Sequence, residues 1–187
     1  MMQSRIKTML LRSAEIKTQI AGAPHLLDKI QQAAEQLLKT VKSGGTVYTC
    51  GNGGSACDAM HFVEELVARF KRERPGMRAM HLLDPATMSC WANDYDFETG
   101  FQRQVETFCR PGDTLVGFST SGASKNVINA FKAAGKLGTF RLGLLGKDGG
   151  ELKNQSDLAI IVPASETERI QECHITLVHI FCELLES

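Results

Sequence analysis

The chain has 187 residues, 43% of them hydrophobic and 22% charged, and its 21 Lys and Arg balance 21 Asp and Glu to a formal charge of zero. That is enough chain for one domain burying roughly 70% of its unfolded surface, and the neutral balance argues against the basic stripe that nucleic acid requires. No apolar run approaches 18 residues, which excludes a membrane-spanning helix, and Met1 to Ala23 lacks the apolar block and cleavage pattern of a secretory signal.

Ile6, Met9, Leu10, Ile16 and Ile20 follow a 3–4 spacing, and after a break at Gly22-Ala23-Pro24 a clearer stripe runs Leu26, Leu27, Ile30, Ala34, Leu37, Leu38 and Val41. Residues 1–43 therefore read as two helices, the second stopped by Gly44-Gly45. From there the chain alternates. Thr46–Cys50 reads as a strand, and a glycine-rich loop leads to a helix from about Ala56 to Lys71. Pro75-Gly76 turns into a second strand, Arg78–Leu83, and Asp96 starts a helix reaching Cys109. Thr114–Ser119 is a third strand, Ser124–Leu137 a helix, Phe140–Leu145 a fourth strand, Leu158–Val162 a fifth, and Thr167–Leu185 a closing helix. Strands alternating with helices predict a single α/β domain, a five-stranded parallel sheet covered on both faces in three layers. Ligands of such sheets sit beyond the carboxyl ends of the strands, so the loops after Cys50 and Phe118 are the places to seek chemistry. The six cysteines show no C-x-x-C and no paired spacing, which predicts reduced thiols in a cytoplasmic protein.

Gly51-Asn52-Gly53-Gly54-Ser55-Ala56 fits G-x-G-x-x-A, but the acidic residue a dinucleotide site needs about 20 residues on is misplaced. Asp84 lies 33 residues after Gly51, which disfavours a nicotinamide-dependent oxidoreductase. The loop reads as a turn whose N–H groups can approach an anion or a sugar hydroxyl, or as a turn that binds nothing. Ser119, Thr120, Ser121 and Ser124 put four hydroxyls between a buried strand and a helix start, a cup for a phosphate monoester. Plain N-capping needs only one of them. His61 and Glu65 stand four apart on one helix face, with Cβ atoms about 5–6 Å apart, so both can reach one metal ion, or they form an exposed pair. On the last helix Gln171 and His179 differ by eight residues, about 80° of rotation, and can converge on one site.

The runs Cys50-Gly51-Asn52-Gly53-Gly54-Ser55, Cys57-Asp58-Ala59-Met60-His61-Phe62 and Glu64-Glu65-Leu66 resemble the phosphoheptose isomerases of the sugar isomerase (SIS) domain superfamily. Asn93-Asp94, Ser119-Thr120-Ser121-Gly122, Gly146-Lys147-Asp148-Gly149-Gly150 and Arg169-Ile170-Gln171-Glu172 extend the likeness over essentially the whole chain. The resemblance implies a flavodoxin-like sheet and a homotetramer with sites near subunit contacts. It also implies conversion of sedoheptulose 7-phosphate to D-glycero-D-manno-heptose 7-phosphate, the first step toward activated heptose for surface glycans. Carried over position by position, it implies one Zn²⁺ per subunit on His61, Glu65, Gln171 and His179. Sugar and phosphate would be held by Asn52, Gly53, Gly54, Ser55, Asn93, Asp94, Ser119, Thr120, Ser121 and Ser124, with Glu65 and Gln171. Glu65 is then the candidate base, His179 the candidate acid, and Glu168, where relatives usually carry Asp, a further proton carrier. Ala123 and Ala56 replace a common Asn and His. The rival within the superfamily is a metal-free regulatory protein that binds a replication initiator, disfavoured because such members lack the full His, Glu, Gln, His set.

Overall fold

In the computed structural model, which describes residues 1–187, two helices precede the first strand, α1 (Met2–Ala21) and α2 (Pro24–Lys42). Pro24 opens α2, where its missing N–H costs nothing, and Lys39 and Lys42 face the negative end of the helix dipole. Most of the stripe read from the sequence is the buried face: Leu26, Ile30, Ala34 and Leu37 pack inward, Leu38 and Val41 are half-buried, and Leu27 is exposed. In α1 only Ile16 and Ile20 are buried, while Ile6, Met9, Leu10 and Leu11 stay exposed.

The rest alternates: β1 (Val47–Gly51), α3 (Gly54–Val67), β2 (Ala79–His81), α4 (Pro85–Asp94), α5 (Gly100–Phe108), β3 (Thr114–Ser119), α6 (Lys125–Lys136), β4 (Phe140–Leu145), α7 (Leu152–Gln155), β5 (Leu158–Ile161) and α8 (Thr167–Leu185). The five strands are all parallel in the order β2-β1-β3-β4-β5, the flavodoxin-like order, whose switch point lies between β1 and β3. The period-2 alternation of the strands sends side chains to two cores. Val116, Phe118, Leu142 and Leu144 meet α1, α2, α3 and α8 on one face, and Leu115, Tyr48 and Cys50 meet α4, α5, α6 and α7 on the other. Phe62 of α3 and Phe181 of α8 are fully buried against each other, ring centroids 6.4 Å apart. Each contributes about 1.5–3 kcal/mol of burial toward holding the two helices together on the sheet.

Many boundaries shift by one or two residues from the sequence reading, and three of the differences have a visible cause. The second strand is limited to Ala79–His81, because the Leu82 carbonyl accepts from the buried Gln104 amide at 2.7 Å rather than from a neighbouring strand. The third helix ends at Val67, not near Lys71, because the N–H groups of Phe70, Lys71 and Arg72 bond to Glu186 instead of to α3 carbonyls. The helix expected from Asp96 starts at Gly100, with the Asp96 carboxylate closing a turn onto the Thr99 N–H at 2.7 Å. Helix α4 has no counterpart in the sequence reading, although Asp84 caps it through the Thr87 N–H at 2.7 Å and Pro85 opens it. The single turn α7 is also additional. All six cysteines are free, with Cys50, Cys109, Cys173 and Cys182 buried. No helix is long and apolar enough to cross a membrane.

Candidate active site

At the switch point the carboxyl ends of β1 and β3 lie side by side, Gly51 opposite Phe118. The loops that follow are therefore neighbours, and one reciprocal contact ties them. The Asn52 and Asn126 amides donate to each other, 2.8 Å in each direction. Asn126 is buried in the first turn of α6, so this pair fixes the Gly51–Gly54 turn to the start of that helix. Ser55 is buried, with its N–H on the Asn52 carbonyl. Gly54 is required by a close approach: a Cβ there would lie 2.6 Å from Gln171 Nε2 and 2.8 Å from its Oε1.

The hydroxyl loop folds largely on itself. Ser119 Oγ accepts the Gly122 N–H at 3.0 Å and meets Ser124 Oγ at 3.1 Å, and Ser121 Oγ accepts the Ala123 N–H at 3.2 Å. Ser119 is buried and braces the bend from below, whereas Thr120, Ser121 and Ser124 are partly exposed. The Ser124 hydroxyl does not cap α6, and a helix N-terminus has the polarity that attracts an anion. Behind the loop, Gly146–Gly150 forms a buttress. The Gly122 carbonyl accepts the Leu152 N–H at 2.9 Å, and Gly122, at φ +64°, has no room for a Cβ against the Gly149 carbonyl.

The second cluster lies on the faces that α3 and α8 turn to each other. His61 Nε2 is 3.1 Å from Glu65 Oε1, and His179 Nε2 is 4.0 Å from the same oxygen. The imidazoles meet edge to face with centroids 5.1 Å apart. Glu65 is 14% exposed, while the His61 and His179 side chains are 41% and 42% exposed, so the group faces solvent with the carboxylate at its base. One donor atom from each of the three lies within 4.8 Å of the others. Ligands on one tetrahedral ion at bond lengths near 2.0 Å sit about 3.3 Å apart. The donor types and spacing thus fit a metal ion after small side-chain adjustments.

Asp58, one turn before His61, has a buried carboxylate oxygen without a partner, and burial pushes its carboxyl up to about 6.

The remaining expected residues spread along the same two helices. Gln171 faces α3, but two turns before His179, about 12 Å of rise, with its amide on Gly54. Glu168 is exposed in the first turn of α8, about 16 Å of rise from His179. Asn93 and Asp94 end α4, exposed and bonded to each other at 2.8 Å. The carboxyl end of the sheet thus carries the hydroxyl cup, Gly54 and Gln171, and the His61–Glu65–His179 cluster lies further down α3. Sequence reading missed Asn126 and Phe70, whose ring stacks on His179 at 5.6 Å and 18°. Neither has a local signal, since each acts on a residue far along the chain.

This chain matches known proteins in sequence and in fold. A SIS domain model matches residues 14–146, which stops short of α8. The phosphoheptose isomerase of Aquifex aeolicus is 44% identical over 187 residues, spanning 100% of this chain and 97% of the relative. That of Helicobacter hepaticus is 46% identical over 163 residues, 87% of this chain and 83% of the relative. The solved structure of phosphoheptose isomerase from Neisseria gonorrhoeae has a TM-score of 0.93 at 36% identity, covering 100% of this chain and 99% of that one. The likeness spans α8, beyond the residues that the SIS domain model matches. The chain belongs to the SIS-domain family and, within it, to the phosphoheptose isomerases.

Proposed function

We propose that this chain isomerises sedoheptulose 7-phosphate to D-glycero-D-manno-heptose 7-phosphate, an aldose–ketose interconversion on the way to activated heptose. The observation that carries the reading is the His61–Glu65–His179 cluster in a chain that aligns end to end with phosphoheptose isomerases. Moving a proton between C1 and C2 through an enediol needs a base, an acid for the carbonyl oxygen and a hold on the far end of the sugar. Glu65 acts as the base, positioned by α3 with one oxygen between two imidazoles. His179 serves the oxygen as acid, and each such group contributes about 10²–10⁴-fold. Ser119, Thr120, Ser121 and Ser124 hold the phosphate, turning distant binding energy into orientation at the reacting carbons. The turn residues Asn52, Gly53, Gly54 and Ser55, with Asn93, Asp94 and Gln171, hold sugar hydroxyls. Zinc is the ion we assign to His61, Glu65 and His179, since imidazole and carboxylate suit it better than Mg²⁺ or Ca²⁺; Gln171, expected as the fourth ligand, has its amide on Gly54 and stands away from these three within one chain. When bound it supplies Lewis-acid polarisation of a substrate oxygen.

The sugar-phosphate loops and the His61 cluster are about 10 Å apart along α3, and Glu168 and Gln171 stand at the other end of α8 from His179. That separation supports sites completed by a second copy, in a homotetramer that covers the exposed Ile6, Met9, Leu10 and Leu11 of α1. The six free cysteines support a cytoplasmic location. The test is incubation of purified, zinc-replete protein with sedoheptulose 7-phosphate, with the aldose product read by NMR. Product formation lost on chelation and restored by zinc is expected. No product from zinc-replete protein overturns the reading, and full activity in protein shown metal-free by elemental analysis overturns the zinc assignment.

A further inference from the structure

The segment between α3 and β2 is held by one side chain from the far end of the molecule. Glu186 Oε1 accepts the Phe70 N–H at 3.0 Å, and its Oε2 accepts those of Lys71 and Arg72 at 2.8 and 2.9 Å. Arg74 Nε donates to Glu186 Oε1 at 2.9 Å, and the two side chains are only 13% and 3% exposed. Burial pushes the Glu186 carboxyl up, but the three backbone donors and Arg74 outweigh it and hold it at about 2. The clamp is therefore ionised throughout the neutral range.

Two branches lead from this carboxylate to the reactive cluster. Phe70, fixed through its N–H, lays its ring on the His179 imidazole, 5.6 Å between centroids and 18° between planes. Arg74 carries the second branch: Nη2 donates to the Glu65 carbonyl at 2.8 Å and Nη1 to the Leu66 carbonyl at 2.9 Å. These are last-turn carbonyls of α3, which a helix leaves without internal partners. Glu186 hydrogen-bonds to none of the three cluster side chains, yet it braces His179 on one helix and the backbone of Glu65 on the other.

We propose that Glu186 is a positioning residue for the His61–Glu65–His179 centre, acting through the Phe70 ring on His179 and through Arg74 on the end of α3 that carries Glu65. This rests on the reading of that cluster as the reacting centre. Charge-assisted hydrogen bonds are the strong ones, and removing the charge leaves Arg74 and the Phe70 N–H poorly paired in a largely buried place. A shift of about 1 Å at a reacting group is enough for a loss of about 10²-fold.

Glu186→Gln keeps the side-chain volume and removes the charge. With sedoheptulose 7-phosphate, kcat should fall about tenfold or more while KM stays within about twofold, because the hydroxyl cup is untouched. In protein labelled at histidine, the His179 Cε1–H resonance, which lies in the field of the stacked Phe70 ring, should move. Phe70→Leu, which leaves the carboxylate clamp intact, should give the same resonance shift and a smaller loss of kcat. A folded Glu186→Gln protein with unchanged kcat and an unchanged His179 resonance overturns the proposal, whatever its melting temperature. Should Glu186→Gln fail to fold, Phe70→Leu decides, and unaltered turnover with an unaltered resonance overturns it. If the wild-type protein shows no isomerase turnover, the functional reading fails while the resonance still decides whether Glu186 positions His179.

Discussion

The hydroxyl loop and the His61–Glu65–His179 centre are built in opposite ways. The loop is local: its hydrogen bonds link Ser119 to Gly122 and Ser124, and Ser121 to Ala123, within a few residues. The centre is assembled from α3 and α8, more than a hundred residues apart, and its surroundings are set by Phe70, Arg74 and Glu186. Apart from its buttress, where the Gly122 carbonyl accepts the Leu152 N–H, the anion cup's geometry travels with one loop, so it tolerates most change elsewhere in the chain. A centre made between helices inherits every shift in their packing. Mutations can break one region and spare the other.

The largest effect is expected at the centre. Glu65→Gln should lower kcat by about 10²–10⁴-fold and leave substrate affinity, measured by calorimetry, within a fewfold of wild type. Elemental analysis of the same protein separates the two roles of Glu65: metal retained with turnover lost marks a base, and loss of both marks mainly a ligand. Turnover within tenfold of wild type would remove Glu65 from the chemistry.

His174 ties α8 to the sheet. It is fully buried on α8, its Nε2 donates to the Leu145 carbonyl at the end of β4 at 3.1 Å, and its Nδ1 has no partner. Burial pulls its pKa down to about 4, against a usual value of 6.5. The unfolded chain therefore takes up this proton first as pH falls. The stability that neutral His174 contributes is whole above about pH 6.5 and is lost as pH drops toward 4, on the order of 3 kcal/mol in total. Asp58 works in the opposite sense, since burial raises its carboxyl to about 6. The difference between wild type and His174→Leu in denaturant titrations isolates the histidine, and the slope between pH 6.5 and 4 should flatten in the variant. Parallel curves would show that His174 is not protonated on unfolding.

Gly122→Ala strikes the loop alone. At φ +64° and with the Gly149 carbonyl in the way of a Cβ, the bend must open, at roughly 1–3 kcal/mol. KM should rise at least tenfold while metal content stays that of wild type. Metal loss in this variant would mean that the two regions are not separable.

The same contrast explains what the sequence discloses. The alternation of strands and helices, the Gly51–Ser55 turn and the hydroxyl loop were legible because their signals are short-range, glycines, hydroxyls and apolar runs next to one another, whereas the flavodoxin-like sheet came from the family resemblance alone. The His61–Glu65 pair was legible because four residues are one helical turn. The eight-residue spacing gave Gln171 and His179 the correct face of α8, but rotation alone says nothing of the rise that parts them. Helix α3 stops early because of a carboxylate 116 residues from Phe70, and no local pattern carries that. Asn126 looked like any first-turn polar residue until its amide met Asn52. Only α4 was missed with its signal in plain view, an Asp-Pro start followed by Thr87.

The smallest effect should come from Ser121→Ala. Its hydroxyl accepts only the Ala123 N–H, at 3.2 Å, and the residue is partly exposed, so the free loop should lose little by its removal. Ser119 and Ser124 would still hold each other at the base of the bend. What is lost is one donor to the bound phosphate, worth about 1 kcal/mol for a typical hydrogen bond and up to about 3 for one to a charged group. KM should therefore rise about fivefold or more with kcat nearly unchanged, the pattern of an interaction made equally in the ground and transition states. An equal fall in kcat and kcat/KM at constant KM would instead put Ser121 in contact with a group that changes charge during the reaction. Such a result would join the two regions that the structure keeps apart, because the hydroxyl loop would then act on the reacting carbons and not only on the phosphate.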